Sequence, residues 1–355
     1  MEPHLESMPT ADGTRDIPLS VRELLDANAL ARGLAIWTVV ACHVPFAHAY
    51  WRPLAAFASA GKLAVSVFLF LSGMMLQAQV NRAGGTLPLM AWAKKRFLRI
   101  YPVYRAGLAF TLLGAWFLRG KIFDLGTIAA NALSITVWLG RDIVSCGYAK
   151  PFWFISLLLL CYALFPLVCR IRRKSGLVLG ALALSGLALW QGRVMGAAAF
   201  AFPSFFMGMA LADAVQRNGQ TVPAAKLQAA LFPLLLALLA LVFKGPRFFS
   251  LNDRHAVWID LLGCAGLTVA PWPALCAVAY FQRALARRVP ALLRGALWIS
   301  GLSFAVYCVH EPLLRIVERS TAAGHPWSGL LGYVLATLGA GWALDALDRR
   351  IRGGR

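Results

Sequence analysis

The stretch ALARGLAIWTVVACHVPFAHA, residues 29–49, decides the architecture. It is an apolar run interrupted by Arg32, His43 and His48. At about 1.5 Å per residue it is long enough to cross a hydrocarbon core of about 30 Å as one helix. Arg32 and His43 stand eleven positions apart. At 100° per residue that is three turns plus only about 20°, so both side chains share a face and lie about 16 Å apart along the axis. An arginine and a histidine on one face of a lipid-embedded helix are costly, and that cost makes them functional candidates.

The pattern repeats along the chain. Of the 355 residues 59% are hydrophobic and only 14% charged, against about 25% in a soluble domain. Ten apolar windows read as spans: 29–49, 62–80, 100–118, 151–169, 176–192, 198–216, 227–243, 257–279, 296–317 and 328–347. The expected fold is an all-α polytopic membrane protein with about ten transmembrane helices in one bundle. A polar segment, 1–28, precedes the membrane domain at 29–347, and a basic tail, 348–355, follows it. The first apolar run lacks a small-residue cleavage pattern and reads as a retained helix, not a signal peptide.

A net charge of +20 would suggest nucleic acid in a soluble protein. Here the cations sit in short loops between apolar segments, as cytoplasmic anchors do. No nucleic acid partner is expected; anionic membrane lipid and a phosphate-bearing ligand fit better. The window 122–140 is apolar enough to be an eleventh span. If it does not cross, most Lys and Arg fall on the side of the N-terminus; if it crosses, that excess vanishes. The positive-inside rule therefore makes it a short non-spanning helix, with both termini cytoplasmic. Irregular backbone at that depth needs protein or a water-filled cavity beside it. The seven cysteines form no CxxC or His-spaced pattern, so neither a metal nor a disulfide framework is expected.

Each polar feature has a bland and a functional reading. A desolvated His43 stays neutral and accepts a proton from a hydroxyl, as a general base does, or is merely a packing contact. Lys94-Lys95-Arg96-Phe97-Leu98-Arg99-Ile100-Tyr101-Pro102 opens the third span. Arg96 and Arg99 at i, i+3 suit bidentate phosphate binding, or simply anchor the loop. Ser300, Ser303, Tyr307 and His310 make a polar stripe in the ninth span, followed by Glu311-Pro312. That stripe reads equally as a structural network or a second wall of a site, and Glu311 is spaced to pair with Arg315. Ser72 and Trp153 read from composition as packing and interface residues. His48 and His255 are outward candidates for substrate contact. On these residues alone an enzyme competes with a transporter or flippase using the same polar track, and with a sensor or scaffold.

Taken in order, the motifs resemble the membrane acyltransferase family 3. The resemblance runs through Arg32 to His43, Val67-Phe68-Leu69-Phe70-Leu71-Ser72-Gly73, Arg96 to Pro102, Trp153-Phe154-Ile155-Ser156 through Tyr162 to Phe165-Pro166, and Ser303, Tyr307, His310 and Pro312. It covers about residues 26–347. Two family features depart: Ala29 stands where an acid commonly precedes the arginine, and Leu157 to Leu160 replace a region that often carries glutamate.

The resemblance implies an acyl-CoA-dependent O-acyltransferase with acetyl-CoA as donor and no metal. Its acceptor would be a carbohydrate or lipid-linked glycan hydroxyl, such as that of an exopolysaccharide, in a bacterial inner membrane. It implies a catalytic group of His43, Arg32, His310 and Tyr307. It places Arg96, Arg99, Lys95, Tyr101 and Ser72 on the donor, and Trp153, Ser156, Glu311 and His48 on the acceptor. The sequence leaves the oligomeric state and the individual sugar open.

Overall fold

The computed structural model describes residues 19–44, 60–120, 122–135, 152–191, 196–217, 222, 224–249 and 253–353. Among them are thirteen helices: α1 (Val21–His43), α2 (Gly61–Arg82), α3 (Leu89–Arg119), α4 (Leu125–Ala132), α5 (Trp153–Val168), α6 (Lys174–Gln191), α7 (Gly196–Arg217), α8 (Ala225–Phe249), α9 (Asp253–Val269), α10 (Pro271–Arg288), α11 (Pro290–Gly301), α12 (Ser303–Ala322) and α13 (Pro326–Gly353).

A helix lies at each of the ten expected windows. Among the described residues, five stretches are long and apolar enough to cross a membrane: α1, α2, Ala198–Arg217 of α7, Trp258–Arg288 of α9 and α10, and Pro326–Ile351 of α13. The bent pair α11 and α12 makes a sixth if counted as one span. The remaining apolar stretches, Trp153–Val168, Lys174–Trp190 and Ala225–Leu236, are shorter. In the doubtful 122–140 window, α4 has eight residues, about 12 Å of helix; residues 136–140 lie outside those described.

The first helix starts earlier than the apolar run suggests. Ser20 caps it: its hydroxyl accepts from Glu23 N at 3.2 Å, and the Glu23 carboxylate accepts from Ser20 N at 2.9 Å. This reciprocal box satisfies two orphan donors. Arg283 of α10 then donates to both Glu23 oxygens at 2.7 Å. Just before the cap, the Leu19 carbonyl accepts from Val222 N at 2.9 Å. The polar segment expected to end at residue 28 thus already contains two turns of α1. The helix stops at His43 because Val44 is extended, with ψ 132°, as a residue preceding proline prefers.

α1 packs against α2, α10, α11 and α12. Two glycines bring α2 and α7 into backbone contact. A Cβ on Gly73 would overlap the Phe205 carbonyl oxygen, and one on Gly208 would overlap the Phe70 carbonyl oxygen. Only residues without a side chain permit that approach, the usual device where lipid tails give helices no hydrophobic reason to associate.

Two expectations fail locally. The ninth span is not one helix: α11 ends at Gly301, α12 begins at Ser303, and the axes differ by 69°. Ser300 and Ser303 therefore belong to different helices. Lys174, expected as a solvated loop anchor, is only 4% exposed. Its ammonium donates to the Cys169 and Val168 carbonyls at 2.6 and 3.1 Å, closing the end of α5, and lies 3.9 Å from Asp213. Asp213 also accepts from Asn81 at 2.8 Å, and Gln77 donates to Asn81. This network ties α2, α5, α6 and α7 together.

Candidate active site

A cavity of about 630 Å³ lies among α1, α2, α3, α5, α11, α12 and α13, within the range of about 300–1,000 Å³ typical of ligand sites. Arg32 of α1 and Arg96 and Arg99 of α3 all line it. The i, i+3 spacing of the latter two does place them together, as the sequence predicts. Arg96 donates to Gln79 at 2.7 Å and stands 5.9 Å from the Tyr162 ring. From α5 come Phe154, Leu158 and Tyr162, an i, i+4, i+8 stripe along one face.

At its apolar end the cavity reaches Tyr307, whose ring packs on Phe154 at 5.7 Å and on Phe304 at 6.4 Å. Behind Tyr307, at 6.0 Å between ring centres, is His310, fully buried. His43 meets His310 edge-on at 5.1 Å. The first-helix histidine therefore turns inward, onto α12. Neither histidine lines the cavity itself; Tyr307 stands between them and it.

Hydrogen bonding sets the tautomers. His43 Nδ1 lies 2.8 Å from the Val39 carbonyl, and His310 Nδ1 lies 2.8 Å from that of Tyr307. A carbonyl only accepts, so each Nδ1 carries the proton, and in the neutral ring Nε2 keeps its lone pair. His310 Nε2 is buried and has no hydrogen-bond partner among the described residues. Two imidazoles this close cannot both take a proton without strong repulsion. The pair can accept one proton, which is what deprotonating a single hydroxyl requires.

The other expected site residues divide. Ser72 lines the cavity, with its hydroxyl bonded back to the Phe68 carbonyl at 2.8 Å. Lys95 is exposed and does not line it. Tyr101 stacks on Phe97 at 4.2 Å, under Arg105, and also points elsewhere. Ser156 is buried, but it sits about 200° around α5 from Phe154 and misses the cavity. Trp153 packs edge-on against Phe154 without reaching the cavity. Glu311 is buried on α12 outside the lining, and Arg315, its expected partner, bonds Glu318 at 2.6 Å. His48 lies outside the described residues.

Sequence reasoning missed Asn28, Gln79, Asp345, Asp348 and Arg349, which also line the cavity. The last three come from α13 and include part of the expected basic tail, where Asp345 holds Arg349 at 3.0 Å. Two acids at i, i+3 in an otherwise apolar helix were the available signal.

Sequence comparison bears on this arrangement. The profile of the acyltransferase domain of acyltransferase family 3 matches residues 27–346. A relative, the acyltransferase MdmB of Streptomyces mycarofaciens, is 28% identical over 154 residues, covering 40% of this chain and 38% of that protein. The aligned part is thus well under half of that relative's length. No solved structure matches. The profile match runs from the turn of α1 that carries Asn28 into the last part of α13, taking in all of the cavity wall but Asp348 and Arg349 and the histidine pair behind it, and by that match the chain belongs to the membrane acyltransferase family 3.

Proposed function

We propose that this protein is an integral-membrane O-acyltransferase that moves an acyl group, acetyl first among them, from acyl-CoA to a carbohydrate hydroxyl of an exopolysaccharide or other surface glycan. One observation carries the reading: a cavity with three arginines in its wall leads to a tyrosine backed by two histidines. Guanidiniums suit the donor's phosphates, and the apolar end suits its pantetheine arm.

The bundle crosses the bacterial inner membrane about ten times, with both termini cytoplasmic. The arginines then face the compartment that holds acyl-CoA. The acceptor sugar arrives from the opposite side, next to His43. Its hydroxyl oxygen attacks the thioester carbonyl while its proton passes to His43 Nε2. The tetrahedral intermediate collapses, the C–S bond breaks, and the thiolate leaves and takes up the proton. His310, edge-on to His43, orients it and shares the positive charge's surroundings, and Tyr307 holds the thioester beside them. An acyl-histidine intermediate would use the same Nε2 as nucleophile.

The test is acyl transfer in purified membranes, followed as acceptor-dependent release of CoA thiol. His43→Ala should lower kcat by about 100-fold or more. Arg96→Ala should chiefly raise KM for the donor, by about tenfold. Full transfer by His43→Ala would remove the assigned base. Substrate flux with no thiol release would make the protein a transporter.

A further inference from the structure

The break between α11 and α12 creates a helix N-terminus inside the bundle, where an unbroken span would have none. Leu302 caps α12 without a side-chain hydrogen bond, and the first turn contains no acid. The first N–H of α12 to find a helical acceptor is that of Val306, 2.9 Å from the Leu302 carbonyl. The N–H groups of the three residues before it have no such acceptor. All three residues, Ser303, Phe304 and Ala305, line the cavity.

Two side chains reinforce this terminus. Ser303 lines the cavity and is only 8% exposed, and its hydroxyl makes no hydrogen bond among the described residues. Arg32 lines the same cavity and has no carboxylate partner among the described residues. Its depth is fixed by its neighbour: a Cβ on Gly33 would overlap the Ser300 hydroxyl. That contact holds α1 against the last turn of α11, directly beside the break. Backbone N–H groups, a hydroxyl and a guanidinium thus line one cavity, whose wall also carries Asp345, engaged by Arg349 at 3.0 Å, and Asp348. The positive end of a broken membrane helix is a known solution for holding anionic groups at depth.

We infer that the N-terminus of α12, with Ser303 and Arg32, is an anion subsite for a phosphoester, the donor phosphate that joins the pantetheine arm. The inference rests on the acyl-CoA reading above and adds an inner phosphate position distinct from Arg96 and Arg99. The outer arginines take the nucleotide's phosphates. The inner one is gripped where the chain bends, which sets how far the thioester reaches towards Tyr307.

The two halves of the donor separate the positions. Binding of phosphopantetheine and of adenosine 3′,5′-bisphosphate is measured on full-length protein in neutral detergent, for wild type, Ser303→Asp and Ser303→Ala. A carboxylate at the first helical position suits the helix dipole but occupies the anion site, so Ser303→Asp should fold with an unchanged or raised melting midpoint. It should bind phosphopantetheine at least about tenfold more weakly, with Ser303→Ala about threefold weaker, and the bisphosphate within about twofold of wild type. Equal phosphopantetheine binding by wild type and Ser303→Asp overturns the inference and leaves the donor reading standing. So does an equal loss of both halves. Displacement of phosphopantetheine from wild type by added phosphatidylglycerol would assign the site to a lipid headgroup and also overturn it. Failure of wild type to bind phosphopantetheine, the bisphosphate or acetyl-CoA would end both readings.

Discussion

Replacing Lys174 by methionine keeps the apolar stem and removes the ammonium. The structure says where the cost falls. The ammonium satisfies two carbonyls at the end of α5, at 2.6 and 3.1 Å. A hydrogen bond from a charged donor contributes about 1.5–3 kcal/mol, but neither acceptor is left bare, because the Cys169 carbonyl also accepts from Gln77 at 3.3 Å and the Val168 carbonyl from Ile171 N at 3.1 Å. Asp213 is a lesser partner. It is 3.9 Å away, its side chain is 19% exposed, and it keeps its bond from Asn81 at 2.8 Å. Lys174→Met should therefore destabilise by about 2–3 kcal/mol, and Asp213→Asn by about 1 kcal/mol. The coupling between them in a double-mutant cycle should stay below about 1 kcal/mol. Equilibrium unfolding in mixed micelles, followed by tryptophan fluorescence, measures all four corners of the cycle. A loss within 1 kcal/mol of zero for Lys174→Met refutes the helix-closing role. A coupling as large as the whole loss shows that the ion pair, not the carbonyls, carries the stability.

Three further outcomes follow from the same geometry. Gly208→Ala improves helix propensity by about 1 kcal/mol, yet its Cβ meets the Phe70 carbonyl oxygen, so the protein should lose about 1–3 kcal/mol in the same unfolding assay. Glu23→Gln breaks a bidentate bond at 2.7 Å between groups with 40% and 15% side-chain exposure; solvent screening limits the loss to about 1 kcal/mol, and it should shrink in high salt. His310→Phe keeps a ring against His43 but removes the nitrogen; transfer should fall by about tenfold or more while acetyl-CoA binding, read by calorimetry, stays unchanged.

The parts of the site that were legible in the sequence are those written in helical spacing. Arg96 with Arg99 needed only a period of 3.6 to be placed together, and both line the cavity; Arg32 lines it too, whereas His43, put on the same face by spacing, stands outside it against His310. The break at Gly301–Leu302 was not legible, because apolar residues continue across it and periodicity alone does not register a bend. Lys174 was misread because a cation in a short basic loop looks like an anchor. Its burial depends on α5 ending within reach, which is a tertiary fact. Trp153 and Ser156 were drawn towards the site by their neighbours in a motif, but one residue along a helix is 100° of rotation. The contribution of α13 was missed because residues 348–355 were read as tail by charge, whereas the helix carries Asp348 and Arg349 to the cavity wall.

The interlocked glycines of α2 and α7 divide the molecule mechanically. With each backbone carbonyl seated in the other helix's notch, this pair behaves as a keel: it resists sliding and twisting because no rotamer change can relieve the contact. Whatever breathing admits a substrate or releases a product must then be borne elsewhere in the bundle, and the elbow where α11 and α12 meet is the place for it. Cross-linking the keel should leave turnover intact, and cross-linking the elbow should arrest it.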